Sequence, residues 1–354
     1  MTETRKSEPR LRAIILNDTA NRKHHGCTRV MRLLVAGLQR HGVEVIARSA
    51  AHSNWQTNPA FLAKLPLADV IVINGEGTLH HGRPAAEILL KIASHPARGA
   101  IPIALVNALY QENPASWAVY LNQIALISAR DNASALEMGG AVGRKVGWLP
   151  DLSLSHPAEV AATMRQGVVV GDSVKLSVRR VLARWASQVP EARFVPTKTL
   201  TFGVWRMLFV GPILRRILYI FYNMSLPRLD LPFFLPQTEA AYLDQISGAT
   251  AHLTGRFHAI CLSILTETPF LAVASNSHKI EQLLLDAGVN SNRVIKAEML
   301  AASQIIPEFD EAELAGLRAF RTQAQSAAEQ LYANIAMLAQ EHFDSRAKQE
   351  NQQS

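Results

Sequence analysis

The sequence is short of cysteine, of aromatic side chains and of unbroken apolar runs, and each shortage closes off a class of protein. Two cysteines in 354 residues, Cys27 and Cys261, cannot frame a disulfide-stapled secreted domain. They also lack the paired spacing of a zinc site, so they read as reduced thiols of a cytoplasmic protein. Aromatic residues make up 6% of the chain, with no helix-turn-helix, zinc-finger or RNA-recognition signature beside them, so nucleic acid is not expected as a partner. No apolar stretch reaches the roughly 18 to 20 residues that cross a bilayer, because Arg215 and Arg216 interrupt the most apolar segment. The first apolar run, LRAIIL, is too short for a signal peptide, which points to the cytoplasm. Net negative charge is absent as well. The formal charge is +7, which favours anionic partners such as phosphorylated substrates or acidic lipid.

What the chain does have is the 48% hydrophobic and 18% charged content of an ordinary globular protein, and a length suited to two domains. Short apolar runs alternate with helical patterns: LRAIIL, then TRVMRLLVAGLQRHG with Gly42 as a stop, VEVIA, DVIVING, a helix from Pro84, IPIALVNAL and ALISARD. Runs that are apolar throughout suit parallel strands covered on both faces, so residues 1–155 read as a doubly wound α/β domain. The rhythm resumes with GVVVGD, SVRRVLARWASQV, ARFVPT, ATAHLTG, RFHAICLSILTE, PFLAVASN and SHKIEQLLLDAG, giving a second wound domain over 156–310. Residues 311–345 form one long helical stretch with the first domain as a packing partner, and 346–354 read as a disordered tail.

Residues 203–236 break the rhythm. From Ile213 onward, Ile217, Ile220, Phe221 and Met224 share one helical face, while Arg215, Tyr219 and Tyr222 share another. Arg206, Arg215, Arg216 and Arg228 stand against Asp230 alone, a composition suited either to a core helix with solvated arginines or to a helix lying on an anionic membrane surface.

Ligands of wound sheets collect beyond the carboxyl ends of the strands, where helix N-termini also attract anions. Four strand-to-helix turns carry unusual residues there. In NGEGTLHHG, Gly75 and Gly77 allow close backbone approach, Thr78 suits a turn cap, and His80 and His81 add polar groups. In SARDNAS, Arg130 ends a strand and is placed as an anion fork or a salt-bridge partner. In GRFHAI, Arg256 and His258 fall in the first turn of a helix whose buried face is Phe257, Ile260, Cys261 and Ile264. In SNSHKIEQL, Lys279 stands in a first turn, where a cation is unfavourable without a compensating anion. Arg130, Arg256, His258 and Lys279 therefore suit a small molecule with several negative charges. Near the start, Asp18 suits either an acceptor hydroxyl or a helix cap. No metal is expected, because His24 and His25 are adjacent without a convincing set of ligand partners.

The glycine turn INGEGTLHH, then ISARDNASALEMGG leading to VGWLPD, then LTGRFHAICLSILTETPFLAVASNSHKIEQLL, resemble in order and spacing the polysaccharide pyruvyl transferase family over about residues 12–290. The arginine-x-histidine followed by a strand and a lysine-bearing helix is the most specific part. The resemblance implies two Rossmann-like domains in a GT-B-like arrangement with the active site in the cleft between them. It implies transfer of a pyruvyl group from phosphoenolpyruvate to sugar hydroxyls as a ketal, with no further cofactor, and Arg130, Arg256, His258 and Lys279 match the family's functional positions. The acceptor it implies is a glycan or lipid-linked saccharide. Phosphoenolpyruvate's carboxylate and phosphate suit two arginines and a lysine, and His258 is suited to general acid and base work. Two other readings stay open from the residues: a GT-B-type glycosyltransferase using a nucleotide sugar, and a non-catalytic membrane-associated component of a glycan assembly complex.

Overall fold

The computed structural model of the protein describes residues 11–160, 164–198, 213, 214, 217, 233–274, 279–300 and 305–353. The chain divides into two compact units. One comprises Met1–Asn21, Met31–Leu152 and Ala324–Ser354, and the other Arg22–Val30 and Ser153–Gln323.

The first unit is built on six parallel strands: β1 (Leu11–Asp18), β2 (Val43–Ala50), β3 (Val70–Asn74), β4 (Ile103–Ala108), β5 (Leu126–Ala129) and β6 (Gly147–Trp148), in the order β2-β1-β3-β4-β5-β6. Every residue of β3 and β4 is buried, which is why their sequences show no polar alternation. Ile14, Leu16, Ile71, Ile73 and Leu105 join Trp55 and Trp117 in one core. The second unit repeats the plan with β7 (Val168–Ser173), β8 (Ala192–Phe194), β9 (Ala251–Gly255), β10 (Phe270–Val273) and β11 (Val294–Ile295), all parallel, in the order β11-β10-β9-β7-β8. Its core gathers Val170, Leu182, Trp185, Phe194, Leu253 and Leu271. The two-residue strands β6 and β11 escape a reading by periodicity, since two residues carry no period.

The helices read from the sequence fall between these strands. His25–Arg40 ends ahead of Gly42, which takes φ +78, and Leu176–Gln188, Phe257–Thr266 and Lys279–Asp286 serve the second sheet. Residues 22–30 follow β1 in sequence yet belong to the second unit. Buried Arg29 accounts for much of this: its Nε donates to the Ser153 carbonyl at 2.7 Å and its guanidinium pairs with Glu239 at 2.6 Å. His25 N–H also donates to the Thr197 carbonyl at 3.1 Å.

The last helix runs Glu311–Gln353, and from Ala324 it belongs to the first unit. Tyr332 lies against Gly37, where a Cβ would stand 2.3 Å from its ring, and Glu329 pairs with Arg40 and His41. Residues 346–353, expected as a disordered tail, instead continue this helix. The stretch RAKQENQQ holds good helix formers and no glycine or proline, and Arg346 reaches the buried Asp69 at 3.0 Å. The basic segment at 203–236 lies outside the described residues except for Ile213, Leu214 and Ile217, which are helical, and residues 233–236. Among the described residues no helix is long and apolar enough to cross a membrane.

Candidate active site

Both sheets share one topological feature. In each, the strand order reverses beside the unit's first strand, so the carboxyl ends of β1 and β3, and of β7 and β9, diverge and leave room for a ligand. The polar residues of each unit concentrate at these two places.

In the second unit β7 ends at Asp172 and Ser173 and β9 ends at Gly255, followed by Arg256 and the helix Phe257–Thr266. Arg256 is the extended residue that precedes this helix, one position earlier than a first-turn placement. Its guanidinium donates to Asp172 Oδ2 at 2.6 Å, and the Thr197 N–H donates to Asp172 Oδ1 at 3.1 Å. Asp172 is fully buried. Burial pushes its carboxyl up, but the Arg256 charge and the hydrogen bonds from Arg256 and Thr197 together outweigh burial and hold it below the usual range. The pair anchors a guanidinium beside the strand ends. Tyr242 completes the support: its hydroxyl lies 2.9 Å from Thr197 Oγ1 and its ring stacks on His25 at 4.8 Å. Burial pushes the Tyr242 phenol up and the His25 imidazole down to about 4, so both are neutral near pH 7.

His258 is the second residue of its helix and is buried. The His24 ring meets it edge-on, with centroids 5.3 Å apart. Burial, then the charges of His258 and Arg256, push the His24 imidazole well below its ordinary range, so it too is neutral. What brings the two segments together is Gly26, where a Cβ would stand 2.2 Å from His258 Cβ. Cys27 closes the group, and the nitrogen or sulfur atoms offered by His24, Cys27 and His258 all lie within 4.8 Å of one another.

The first unit's edge is built from amides and hydroxyls around one buried carboxylate. Asn17, at φ +64, donates from Nδ2 to the Asn74 carbonyl at 2.6 Å and to Thr78 Oγ1 at 3.0 Å. Asn74 Nδ2 donates to Glu76 Oε2 at 3.2 Å, and the Thr19 hydroxyl donates to the same oxygen. Glu76 and Asn107 also carry positive φ. Three residues in the left-handed region at the ends of β1, β3 and β4 mark backbone strain, which persists where surrounding bonds over-determine it. Beside them lies a cavity of about 80 Å³ lined by Asn17, His52, Ser53, Asn54, Thr78 and Ile88 among others.

The expected residues are thus distributed unevenly. Arg256 and His258 stand together at the β7/β9 edge. Lys279 opens the helix after β10 on the same sheet, half-buried. Gly75, Gly77, Thr78 and Asp18 gather at the β1/β3 edge. The space beside Gly75 is filled by Ala108, whose Cα and Cβ would each stand 2.6 Å from an added Cβ, whereas Gly77 meets nothing within 4 Å. Asp18 caps the turn that follows it, accepting from the Ala20 N–H at 2.9 Å, and lies 3.6 Å from Arg48. Arg130 is buried between Asp131 and Asp151, 3.8 Å from each, so its charge is compensated within its own unit. His81 pairs with Glu112 at 2.9 Å, and buried His80 bridges to Gln111.

Asp172, Thr197, Tyr242 and Glu76 escaped the sequence reading. Asp172 could have been found as a carboxylate closing the otherwise apolar GVVVG, and Glu76 as the charged residue between two glycines. Thr197 and Tyr242 give no local signal.

A family model described as polysaccharide pyruvyl transferase matches residues 29–277. Among curated proteins none matches the chain. Among solved structures, MnaA of S. aureus with UDP superposes with a TM-score of 0.51 at 11% identity, over 92% of this chain and 90% of that one. Trehalose-6-phosphate synthase OtsA superposes with a TM-score of 0.51 at 10% identity, over 96% and 99%. At such identities the likeness shows the fold alone.

Proposed function

The chain belongs to the polysaccharide pyruvyl transferase family, and from that premise we propose that it moves a pyruvyl group from phosphoenolpyruvate to two hydroxyls of a sugar, in a cell-surface polysaccharide or its lipid-linked precursor. The product is a cyclic pyruvate ketal and the leaving group is inorganic phosphate. The observation that carries the reading is the placement of His258 beside an Arg256 anchored by buried Asp172, at a strand-order reversal where wound sheets take ligands.

The chemistry asks three things of the protein. Phosphoenolpyruvate brings a carboxylate and a phosphate, which Arg256 and Lys279 meet with charge-assisted hydrogen bonds. Its methylene carbon must then gain a proton, for which His258 is the donor, leaving an oxocarbenium-like centre that the first sugar hydroxyl attacks. Phosphate departs with cleavage of its C–O bond, and the second hydroxyl closes the ketal. Of the two hydroxyl protons released, one restores His258 and the other leaves with phosphate. Arg130 lies in the first unit, so donor binding is assigned to Arg256 and Lys279 of the second unit, on the sheet that carries His258. The first unit's edge, with Asn17 and Thr78 lining a small cavity, suits sugar hydroxyls.

The test is incubation of the purified protein with phosphoenolpyruvate and a synthetic glycoside, read by phosphate release and by the mass gain of a ketal. His258→Gln should lower turnover by about 10²–10⁴-fold. Turnover that survives this change overturns the role of His258. Protection from thermal unfolding by a nucleoside diphosphate, and not by phosphoenolpyruvate, would favour the glycosyltransferase reading instead. Peripheral attachment to an anionic membrane belongs to the same proposal. It predicts that Arg215→Glu with Arg216→Glu abolishes binding to anionic liposomes.

A further inference from the structure

We infer that His24, Cys27 and His258 form a binding site for zinc, with three protein ligands and an open fourth position. The three side chains are buried, and their donor atoms lie within 4.8 Å of one another. Two imidazoles and a thiolate make a borderline-soft set that selects zinc over magnesium or calcium, which take oxygen ligands. In a tetrahedral site, Zn–N and Zn–S bonds of about 2.0–2.3 Å place donors about 3.4–3.7 Å apart. Metal binding therefore has to draw the widest pair together by about 1.1–1.4 Å.

Three further observations favour a ligand there over inert packing. His24 Nδ1 is buried and has no hydrogen-bond partner among the described residues, although a buried ring nitrogen is costly to leave without one. Gly26, between the first two donors, is the residue that lets their segment approach His258 so closely. Cys27 lies in the first turn of the helix His25–Arg40, where the positive end of the helix dipole favours the thiolate form that metal binding needs. Arg256, whose charge acts on His24, is paired with Asp172. His24 and Cys27 precede the segment that the family model matches, residues 29–277.

The site shares His258 with the proposed transfer reaction, and the predicted effect on turnover rests on that reading. A nitrogen bound to zinc cannot exchange the proton, so zinc at this cluster inhibits phosphate release from phosphoenolpyruvate. Binding itself does not depend on the reading. Reduced, metal-free, full-length protein is titrated with Co²⁺ as the spectroscopic stand-in for zinc. The expected result is one ion per chain, with a thiolate-to-cobalt charge-transfer band that zinc displaces. The band persists in Cys261→Ser and is absent from Cys27→Ser. Because loss of even a supporting residue costs about 10–100-fold in metal affinity, His24→Gln should weaken binding by at least about 100-fold. In the unaltered protein, which avoids any folding defect of a variant, zinc should protect Cys27 from alkylation. Absence of the band at saturating Co²⁺, its survival in Cys27→Ser, or unchanged alkylation of Cys27 overturns the site. If the band appears but no phosphate is released under any metal-free condition, the transferase reading falls and the zinc site stands.

Discussion

The two strand-order reversals share a topology and differ in chemistry. At β1/β3 the chain ends its strands with amides, hydroxyls and the buried carboxylate of Glu76, and holds three residues in the left-handed backbone region. At β7/β9 it ends them with a carboxylate, a guanidinium and imidazoles, with Arg256 itself extended. Parallel pairing fixes where each site lies, because strand order decides which carboxyl ends part from one another. The side chains then decide what the place can do. An amide-rich edge suits neutral hydroxyls, whereas a fixed guanidinium beside a histidine suits an anion and a proton transfer.

The comparison breaks most sharply at Asp172. Asp172→Ala leaves Arg256 buried without its carboxylate and should cost about 3–5 kcal/mol in urea unfolding. The same residue gives the second unit an acid-sensitive component. Its pKa is held below the unfolded value of about 4, so its contribution is present above that pH and is lost as pH falls through the folded value. Unfolding measured across the acid range should therefore lose part of its slope in Asp172→Asn.

Next come the glycines, one at each site. At Gly26 an added Cβ meets the rigid root of His258 at 2.2 Å, and at Gly75 it meets Ala108 backbone and Cβ at 2.6 Å. Gly26→Ala gains up to about 1 kcal/mol of helix propensity, but overpacking of about 1–3 kcal/mol outweighs it. Phosphate release should fall along with stability, since His258 is displaced. Gly75→Ala should cost a similar 1–3 kcal/mol by overpacking. If both variants unfolded at the wild-type urea midpoint, close packing would not be what these glycines serve. Smallest is Gly77→Ala, which meets nothing within 4 Å and should shift stability by no more than about 0.5 kcal/mol. Its interest lies in activity. A fall in acceptor affinity with stability intact would give Gly77 a ligand contact that Gly75, filled by Ala108, does not have.

Much of this architecture is legible in the sequence because burial on both faces leaves an unbroken apolar record, as in DVIVIN and IALVNA. The arginine and histidine after β9 are legible for the converse reason: polar residues at the mouth of an apolar helix stand out. Residues whose roles come from partners distant in sequence are not legible. Thr197 and Tyr242 are ordinary until folding sets one above Asp172 and the other against His25. Arg130 reads equally as an anion fork or a salt-bridge partner until Asp151, twenty-one positions on, is found beside it.

The sequence by itself determined two parallel wound units, the turns that bear their polar residues and the family they belong to, because hydrophobic period and local motif are properties of neighbouring residues. Only the tertiary structure decided that residues 22–30 join the second unit and that His24 and Cys27 meet His258. A hydrogen bond or a ring contact is a fact about distance in space, and a chain whose distant segments are brought together at Arg29 and Gly26 carries that distance nowhere in its local pattern.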